Sequence, residues 1–334
     1  ICDDFHAGMA VRGKTGLRAN PAQRITYAGG VDLTYAQFGA RVHRLGSALA
    51  GLGLGEDAVV AVMDYDSHRY LECFFAIPML GATLHTVNVR LSPEQVRYTI
   101  NHAQDDAILV HEDFLPLLLP LLPRITRPLR LILLSDKPAA LPEGFAGTYE
   151  ALLSAGDASF AFPTFSESTR ATLFYTTGTT GDPKGVTYSH RQLVLHSLGV
   201  IACFAPIPGK GGIKADDVYM PLTPLFHVHG WGFPLIATML GMRQVYPGRY
   251  EPQKLLHLIA EHGVTFSHCV PAVLGMVLGA TGAEAVNLAG WKVIIGGSAL
   301  PEGLARAAMA RGIDIHAGYG MSETCPVLTI ADMA

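Results

Sequence analysis

Residues 175–186 read YTTGTTGDPKGV and say more about the fold and chemistry of this chain than any other stretch. The apolar run 171–174 precedes them and predicts a strand, and Ser189 precedes an apolar-periodic stretch that predicts a helix. A loop at a strand end, rich in backbone N–H groups and hydroxyls, suits a polyphosphate. Glycine also lets the backbone approach an anion closely. The stretch therefore predicts a nucleotide-phosphate loop.

Two familiar phosphate-binding patterns do not fit this loop. The common ATPase loop needs a hydroxyl residue directly after its lysine, but Gly185 follows Lys184 here. The dinucleotide fingerprint G-x-G-x-x-G fails because Gly178 and Gly181 are three residues apart, with threonines between them. A simple turn is the plain alternative, since glycine and proline mark turns. The run of four threonines favours the phosphate loop.

Three further segments follow the loop and carry polar or aromatic residues among glycines and prolines. They read PLFHVHGW at 224–231, GGSALP at 296–301 and GYGMSET at 318–324. Together with the loop, and in the same order, they resemble the signature motifs of the adenylate-forming superfamily. That superfamily contains acyl-CoA synthetases, luciferases and the adenylation domains of nonribosomal peptide synthetases. The words LTY at 33–35 and NVRLSP at 88–93 also resemble such synthetases, so the resemblance covers most of the chain.

The resemblance implies an α/β fold with two packed αβ subdomains, the layered αβαβα sandwich of an acyl-CoA synthetase N-terminal domain. We expect the first subdomain at 1–165 and the second, with the phosphate loop and the adenine and metal segment, at 166–334. The β-barrel part and the small C-terminal domain are expected to be largely missing, with the ribose-binding aspartate, the hinge and the C-terminal lysine. We therefore expect residues 1–334 alone to bind ATP weakly and to form adenylate poorly.

The alternation of apolar runs with helix-length stretches favours the same fold class on independent grounds. Strands are predicted at 59–63, 83–87, 107–111, 131–134, 218–222, 264–268 and 293–295. Helices are predicted at 67–80, 251–262 and 301–311. Ser92 followed by Pro93 offers an N-cap and a proline in the first turn, which predicts a further helix start.

Composition bounds the partners and the compartment. The 334 residues suggest about two domains. Lys and Arg number 24 against 28 Asp and Glu, with no basic block, so a nucleic-acid partner is not expected. The five cysteines are scattered without CxxC spacing, which is typical of a reduced, cytoplasmic protein. No signal-peptide pattern opens the sequence, and the proline-broken apolar run 115–122 is too short to span a membrane.

The reaction that the resemblance implies uses ATP, Mg²⁺ and coenzyme A. A carboxylate attacks the α-phosphorus of ATP to give an acyl-adenylate and pyrophosphate, and the thiol of coenzyme A then displaces AMP. The protein mainly orients the reactants and neutralises developing charge. By resemblance, Thr176 and Glu323 hold the Mg²⁺, a cation that prefers oxygen ligands. The plain alternative for Glu323 is a carboxylate that interacts with a helix dipole.

The resemblance assigns the nucleotide to two sets of residues. The residues that it assigns to the β- and γ-phosphates are those of the loop, Thr176, Thr177, Gly178, Thr179, Thr180, Gly181 and Lys184. The residues that it assigns to the adenine and α-phosphate are Gly297, Ser298, Gly318, Tyr319, Gly320, Met321, Ser322 and Glu323. Within the second set, Tyr319 would stack on adenine and Ser322 would donate to the α-phosphate. An aromatic residue at a tight turn and a structural glycine turn are the plain alternatives.

Phe226, His227, Val228 and Trp231 are the candidate acid-binding residues. By resemblance, His227 is catalytic, together with Thr176 and Glu323, and orients the carboxylate at the α-phosphate; a satisfied core histidine is the plain alternative. The word F-H-V-x-x-W resembles the branch that activates medium- and long-chain fatty acids, in which a tryptophan gates the acyl tunnel. Each buried CH₂ contributes about 0.8 kcal/mol, so an apolar tunnel favours longer chains. Core packing gives the same composition, so the sequence does not fix the chain length.

Three functions are therefore considered. The leading one is a fatty-acyl-CoA synthetase acting on a small-molecule carboxylic acid and coenzyme A. The second is an aryl- or small-acid-CoA ligase. The third is a non-catalytic nucleotide-binding relative, for which Thr176→Ala or Glu323→Ala would leave the biological activity untouched. The resemblance also extends to homodimer formation, which no residue pattern here demonstrates.

Overall fold

The computed structural model describes residues 22–28, 30–176, 181–204 and 212–332. Within these residues the strands are β1 (Arg24–Tyr27), β2 (Val31–Thr34), β3 (Val59–Met63), β4 (Thr83–Thr86), β5 (Ala107–His111), β6 (Arg130–Leu134), β7 (Phe145–Thr148), β8 (Arg170–Thr176), β9 (Lys184–Ser189), β10 (Val218–Leu222), β11 (Arg243–Tyr246), β12 (Phe266–Cys269), β13 (Lys292–Ile295), β14 (Asp314–Gly320) and β15 (Val327–Asp332).

Helices occupy most of the connections between these strands. They are α1 (Tyr35–Gly51), α2 (His68–Met79), α3 (Pro93–Ala103), α4 (Leu115–Leu118), α5 (Tyr149–Ala155), α6 (His190–Phe204), α7 (Phe233–Met239), α8 (Pro252–His262), α9 (Pro271–Leu278) and α10 (Glu302–Met309). The α/β fold class predicted from the sequence is confirmed. No helix of the described ranges combines the length and the apolar character that a membrane crossing requires.

The chain divides into two compact units. The first contains Ala36–Tyr65 and Arg69–Leu193, and the second contains 22–35, Asp66–His68 and the described residues from Val194 onward. These limits differ from the predicted subdomains, 1–165 and 166–334. The reason is backbone pairing: β8 runs parallel to β4 in the sheet of the first unit, so the strand that leads into the threonine-rich loop belongs there.

The first unit is built on a seven-stranded sheet in the order β7-β6-β5-β3-β4-β8-β9. All its pairings are parallel except the β8–β9 hairpin. Every residue of β3 and β5 is buried, as expected for central strands of a parallel sheet that is covered on both faces. One core cluster of this unit contains Ala61, Met63, Ile108, Val110 and Leu133.

The second unit is built on an eight-stranded sheet in the order β15-β14-β13-β12-β10-β11-β1-β2. Its central strands are parallel, and one hydrogen-bonded row crosses four of them through Leu222, Cys269, Ile295 and Ala317. The core cluster of this unit packs helix residues such as Leu255 against the sheet. The row matters for function because the segments that follow β10, β13 and β14 all leave the sheet near it.

Several predicted elements coincide with the structure. The limits of β3, β5 and β10 match the predicted strands, and the strand predicted at 264–268 is observed at Phe266–Cys269. Ser92 caps α3 as predicted: its side chain accepts from the backbone N–H of Gln95 at 3.4 Å, and the side chain of Gln95 accepts from the Ser92 N–H at 3.2 Å. This reciprocal pair satisfies two backbone donors at the helix start.

Candidate active site

Thr176 and Lys184, which flank the centre of the threonine-rich stretch, lie on the β8–β9 hairpin of the first unit. Thr176 is the last residue of β8 and lies opposite Lys184, the first residue of β9. The Thr176 hydroxyl donates to the Lys184 carbonyl at 3.4 Å, and the Lys184 side chain is exposed. Gly181 has φ of +103° and stands in open space, a conformation that favours glycine. The remaining loop candidates, Thr177, Gly178, Thr179 and Thr180, lie outside the described residues.

Polar side chains of the first unit contact Tyr175 at the base of this hairpin. The Tyr175 hydroxyl is hydrogen-bonded to His102 Nδ1 at 2.7 Å, and its ring lies 5.2 Å from that of His85. His85 Nδ1 in turn lies 2.9 Å from a carboxylate oxygen of Asp105. Burial raises the pKa of the Tyr175 phenol above its usual range, so the hydroxyl stays protonated. The residue immediately before Thr176 is therefore held in place on the sheet.

In the second unit, the segments that follow three parallel strands surround one cavity of about 250 Å³. Parallel strands end at the same edge of a sheet, which is where ligands bind in open α/β folds. The cavity is lined by His227, Val228, Trp231, Ile294, Gly296, Gly297, Gly318, Tyr319, Gly320, Met321, Ser322, Pro326 and Val327. Nine of these are residues that the sequence singled out.

The other candidates of the second unit lie next to this cavity. Ser298 lines a neighbouring cavity of about 420 Å³, which Gly297, Gly318, Tyr319 and Gly320 also border. Phe226 is buried beside His227 and lines neither cavity. Glu323 follows Ser322 in the 3₁₀ turn Ser322–Thr324, with its side chain exposed. Thr176 and Glu323 thus belong to different units of the chain.

Two glycines are required by close approach of the backbone. A Cβ atom on Gly320 would lie 1.9 Å from the Pro326 carbonyl oxygen, so no side chain fits there. A Cβ atom on Gly296 would lie 2.9 Å from the Gly318 carbonyl oxygen and 3.1 Å from the ring of Trp231. Tyr319, by contrast, projects from this tightly packed backbone with 61% of its surface exposed. The segment therefore presents an exposed aromatic ring at the cavity.

Two of the acid-binding candidates, Val228 and Trp231, lie on a left-handed turn that follows Phe226 and His227. The φ angles are 46° at Val228, 57° at His229, 55° at Gly230, 58° at Trp231 and 76° at Gly232. Non-glycine residues in this region cost of order 1–3 kcal/mol each, and a β-branched residue such as valine is a genuine outlier. Strain of this kind persists at functional sites because surrounding contacts enforce it. The turn brings the indole of Trp231 over Gly296 and places its ring 5.3 Å from that of His268.

The two histidines of this turn have opposite environments. His227 is exposed and lines the cavity, so the core-histidine alternative does not describe it. His229 is fully buried, and burial, with a smaller contribution from the charge of His196, lowers its pKa to about 3. Burial also lowers the pKa of His268 to about 3 and that of His196 to about 4. These three rings are therefore neutral at pH 7.

Sequence reasoning missed part of the cavity wall. Ile294 belongs to a strand that the sequence predicted, but nothing in its apolar run shows that it faces a cavity. Pro326 immediately precedes β15, and Val327 is the first residue of that strand, which returns antiparallel to β14. The Pro326 carbonyl accepts the backbone N–H of Met321 at 3.1 Å, which ties this return to the predicted nucleotide segment. A proline three residues after Glu323 was the available sequence signal.

Comparison with known proteins shows the family to which the chain belongs. A family model described as AMP-binding enzyme matches residues 15–334. The chain belongs to the AMP-binding enzymes of the adenylate-forming superfamily. The resemblance read from the four motifs is thereby confirmed.

Two curated relatives are acyl-CoA ligases. The chain is 38% identical over 299 residues to a long-chain-fatty-acid–CoA ligase of Thermus thermophilus, covering 88% of this chain and 53% of that protein. It is 36% identical over 313 residues to a 3-methylmercaptopropionyl-CoA ligase of Ruegeria pomeroyi, covering 91% of this chain and 57% of that protein. The chain thus spans little more than half the length of these relatives.

A solved structure with the same fold is an anthranilate CoA ligase in complex with anthranoyl-AMP. The TM-score is 0.88 at 20% identity, covering 99% of this chain and 62% of that one. At this level of identity the comparison speaks for the fold alone. It agrees with the α/β architecture described above.

The buried histidines predict how stability depends on pH. Their folded-state pKa values of about 3 to 4 lie below the usual 6.5, so the unfolded chain takes up protons first as the pH falls. Their contribution to stability is complete above pH 6.5 and is lost toward pH 3 to 4, by roughly 1.4 kcal/mol per pH unit for each histidine. We expect His268→Phe to flatten the decline by about one such increment. Urea unfolding at pH 7, 6 and 5 measures this; parallel curves for both proteins would contradict it.

Proposed function

We propose that this chain carries the ATP- and acid-binding part of an AMP-forming acyl-CoA ligase. The observation that carries the proposal is the cavity of the second unit. It combines an exposed histidine, a tryptophan on a strained turn and an exposed tyrosine between glycines, each of which the resemblance assigns to the site. Membership of the AMP-binding family and two relatives that are acyl-CoA ligases support it.

In the proposed reaction a carboxylate oxygen attacks the α-phosphorus of ATP and pyrophosphate leaves. The coenzyme A thiol then attacks the acyl carbon, and AMP leaves with the carboxylate oxygen. Tyr319 stacks on the adenine, and the Ser322 hydroxyl donates to the α-phosphate. His227 orients the carboxylate. The loop that begins at Thr176, with Lys184, holds the β- and γ-phosphates, and its N–H groups and hydroxyls stabilise charge as it develops.

The candidate Mg²⁺ ligands fit the chemistry of that ion. Thr176 offers a hydroxyl oxygen and Glu323 a carboxylate, and hard cations select such oxygen ligands. Glu323 is exposed and forms no ion pair with any other described residue. When bound, the ion neutralises phosphate charge in the transition state. The proposal assigns it to these two residues and to the triphosphate.

A medium- or long-chain fatty acid is the acid that we propose. The long-chain ligase relative supports it. So does an apolar cavity of about 480 Å³ between the second half of α6 and β15, which shares Val327 with the cavity next to Trp231. A small or aromatic acid is the second candidate, because Trp231 closes the inner wall of the first cavity against Gly296. The 3-methylmercaptopropionyl-CoA ligase relative fits this second candidate.

Location and assembly complete the proposal. Cys73, Cys203, Cys269 and Cys325, the cysteines of the described ranges, are all unpaired, which supports a reducing, cytoplasmic setting. A homodimer is proposed from the resemblance to the fatty-acyl branch alone. Small molecules are the proposed ligands, since net charge gives no footprint for nucleic acid.

The variant Glu323→Gln in the complete protein distinguishes the ligase proposal from the non-catalytic alternative. We expect acid-dependent pyrophosphate release to fall about 100-fold or more, because a neutral amide is a weaker ligand than a carboxylate for the Mg²⁺ that would offset the phosphate charge. Glu302→Gln is the control, since Glu302 is an equally exposed carboxylate in the same unit and pairs with Arg306. If Glu323→Gln released pyrophosphate at the wild-type rate, Glu323 would have no catalytic role; if the wild-type protein released none with any acid, the ligase proposal would fail.

The two acid classes are separated by Trp231→Ala. If the acyl chain passes Trp231, removing the indole opens the inner wall and raises kcat/KM for dodecanoate relative to 3-methylthiopropanoate and benzoate by about tenfold. Such a factor is the size expected for the removal of a steric block worth about 1.4 kcal/mol. A panel of straight-chain and aromatic acids in the pyrophosphate assay measures it. Preference for the small acids in both proteins would favour the second candidate.

A further inference from the structure

A carboxylate about 160 positions earlier in the sequence holds the start of the left-handed turn. One carboxylate oxygen of Asp66 accepts the backbone N–H of Leu225 at 2.8 Å, and the other accepts the Tyr250 hydroxyl at 2.6 Å. The Asp66 carbonyl also accepts the backbone N–H of Gly248 at 2.8 Å. Asp66 is only 3% exposed, and all four residues belong to the second unit. Three hydrogen bonds to Asp66 thus connect the segment Asp66–His68 to the rest of this unit.

The bond to Leu225 lies at a sensitive position. Leu225 is fully buried and comes two residues before His227. A buried backbone N–H without a partner is strongly disfavoured, so the position of the Leu225 amide depends on the position of the Asp66 carboxylate. Two backbone hydrogen bonds connect this position to the turn. The N–H of His227 donates to the Pro224 carbonyl, and the N–H of Gly230 donates to the His227 carbonyl. The Asp66 carboxylate therefore sets where the turn begins.

The turn needs such an anchor because its conformation is strained. Val228, His229 and Trp231 all have positive φ, and L-residues left to themselves return to the right-handed or extended regions. Contacts must enforce the left-handed form from both sides. On the far side, the N-terminal residues of α7, Phe233 and Pro234, are buried. On the near side, the buried carboxyl group of Asp66 accepts the backbone N–H of Leu225.

The surroundings of Asp66 satisfy its buried carboxyl group. Burial is the main cause that raises the pKa of Tyr219 and of Tyr246, and the negative charge of Asp66 contributes in both cases. Both phenols therefore stay neutral beside it. A buried carboxylate is costly unless hydrogen bonds satisfy it, and here an amide and a hydroxyl both do so. Its geometry is therefore tightly defined, as an anchor requires.

We propose that Asp66 is a positioning residue whose carboxylate, through the Leu225 amide, holds the start of the left-handed turn at 228–232, which presents His227 and Trp231 to the cavity. Asp66 lines neither cavity of the candidate site and lies outside the four motifs. Only the catalytic consequence rests on the proposed function. The structural consequence is independent of it.

The structural consequence is tested by ¹⁹F NMR of the complete protein labelled with 5-fluorotryptophan. The Trp231 and Trp291 resonances are assigned from Trp231→Phe and Trp291→Phe. In Asp66→Ala we expect the Trp231 resonance to move or broaden, while that of Trp291, which donates to Ser267 in the core, stays in place. Tyr250→Phe is the matched control, since it removes one bond to Asp66 and keeps the bond to Leu225. It should leave the Trp231 resonance near its wild-type position.

Asp66→Asn supplies the rescue. Its amide oxygen can accept from Leu225 while its NH₂ group donates to the Tyr250 hydroxyl, so the Trp231 resonance and activity should both return. Acid-dependent pyrophosphate release should fall about 100-fold in kcat for Asp66→Ala, the scale of a displacement near 1 Å. For Asp66→Asn it should stay within about threefold of wild type. The KM for ATP should change little, because Tyr319 and Ser322 lie on a different segment.

Asp66→Glu keeps the proposal falsifiable if Asp66→Ala does not fold. It retains the charge but lengthens the side chain by one methylene, which displaces Leu225 in a site without spare room. The Trp231 resonance should move here too. An unchanged Trp231 resonance in folded Asp66→Ala, or in Asp66→Glu, would overturn the anchor, whatever the activity. A protein that moves Trp231 as expected yet activates no acid would leave the anchor standing and remove the proposed function.

Discussion

The candidate site depends on one constraint, the parallel hydrogen-bonded row through Leu222, Cys269, Ile295 and Ala317. Because these residues are in register, the segments that follow β10, β13 and β14 leave the sheet at one edge. The motifs at 224–231 and 296–301 lie in two of these segments, and the motif at 318–324 spans the end of β14 and the segment after it. They are separated by up to about a hundred positions in the sequence, yet the register requires them to meet. One cavity bordered by all three motifs follows from the pairing.

The same edge is where the chain departs from relaxed geometry. Gly320 accommodates the Pro326 carbonyl at a distance that no other residue tolerates, and Gly296 lets the indole of Trp231 approach the backbone closely. The left-handed turn at 228–232 is costly for its valine, histidine and tryptophan. The buried sheet and its helices supply the stability that offsets this cost. Strain gathered at the rim of a rigid sheet is typical of a site that is preorganised for a ligand.

Local signals were readable from the sequence, and long-range pairings were not. The Ser92 cap and the buried strands β3, β5 and β10 follow from neighbouring residues, and their predictions agree with the structure. The membership of β8 in the first sheet depends on its pairing with β4, which no local pattern encodes. β9 was missed because KGVTYS lacks an apolar run. The roles of Thr176, His227 and Glu323 in catalysis stay predictions.

Two features of the candidate site could not have been foreseen from residue types. Asp66, followed by Ser67, reads as a turn or a helix cap, since short polar residues usually bond to their own backbone. Its actual partners are Leu225 and Tyr250, far along the chain. The left-handed turn was hidden for a related reason. Valine and tryptophan carry no preference for positive φ, so only packing and the anchored amide impose it.

The central claim is that the protein activates a carboxylate by transferring AMP to it. The most direct measurement supplies the complete protein with ATP, coenzyme A and a fatty acid labelled with ¹⁸O in both carboxylate oxygens. The account predicts that the AMP released carries one ¹⁸O atom, because the bond between the acyl carbon and the bridging oxygen breaks when the thiol attacks. Unlabelled AMP, or labelled inorganic phosphate together with ADP, would contradict it.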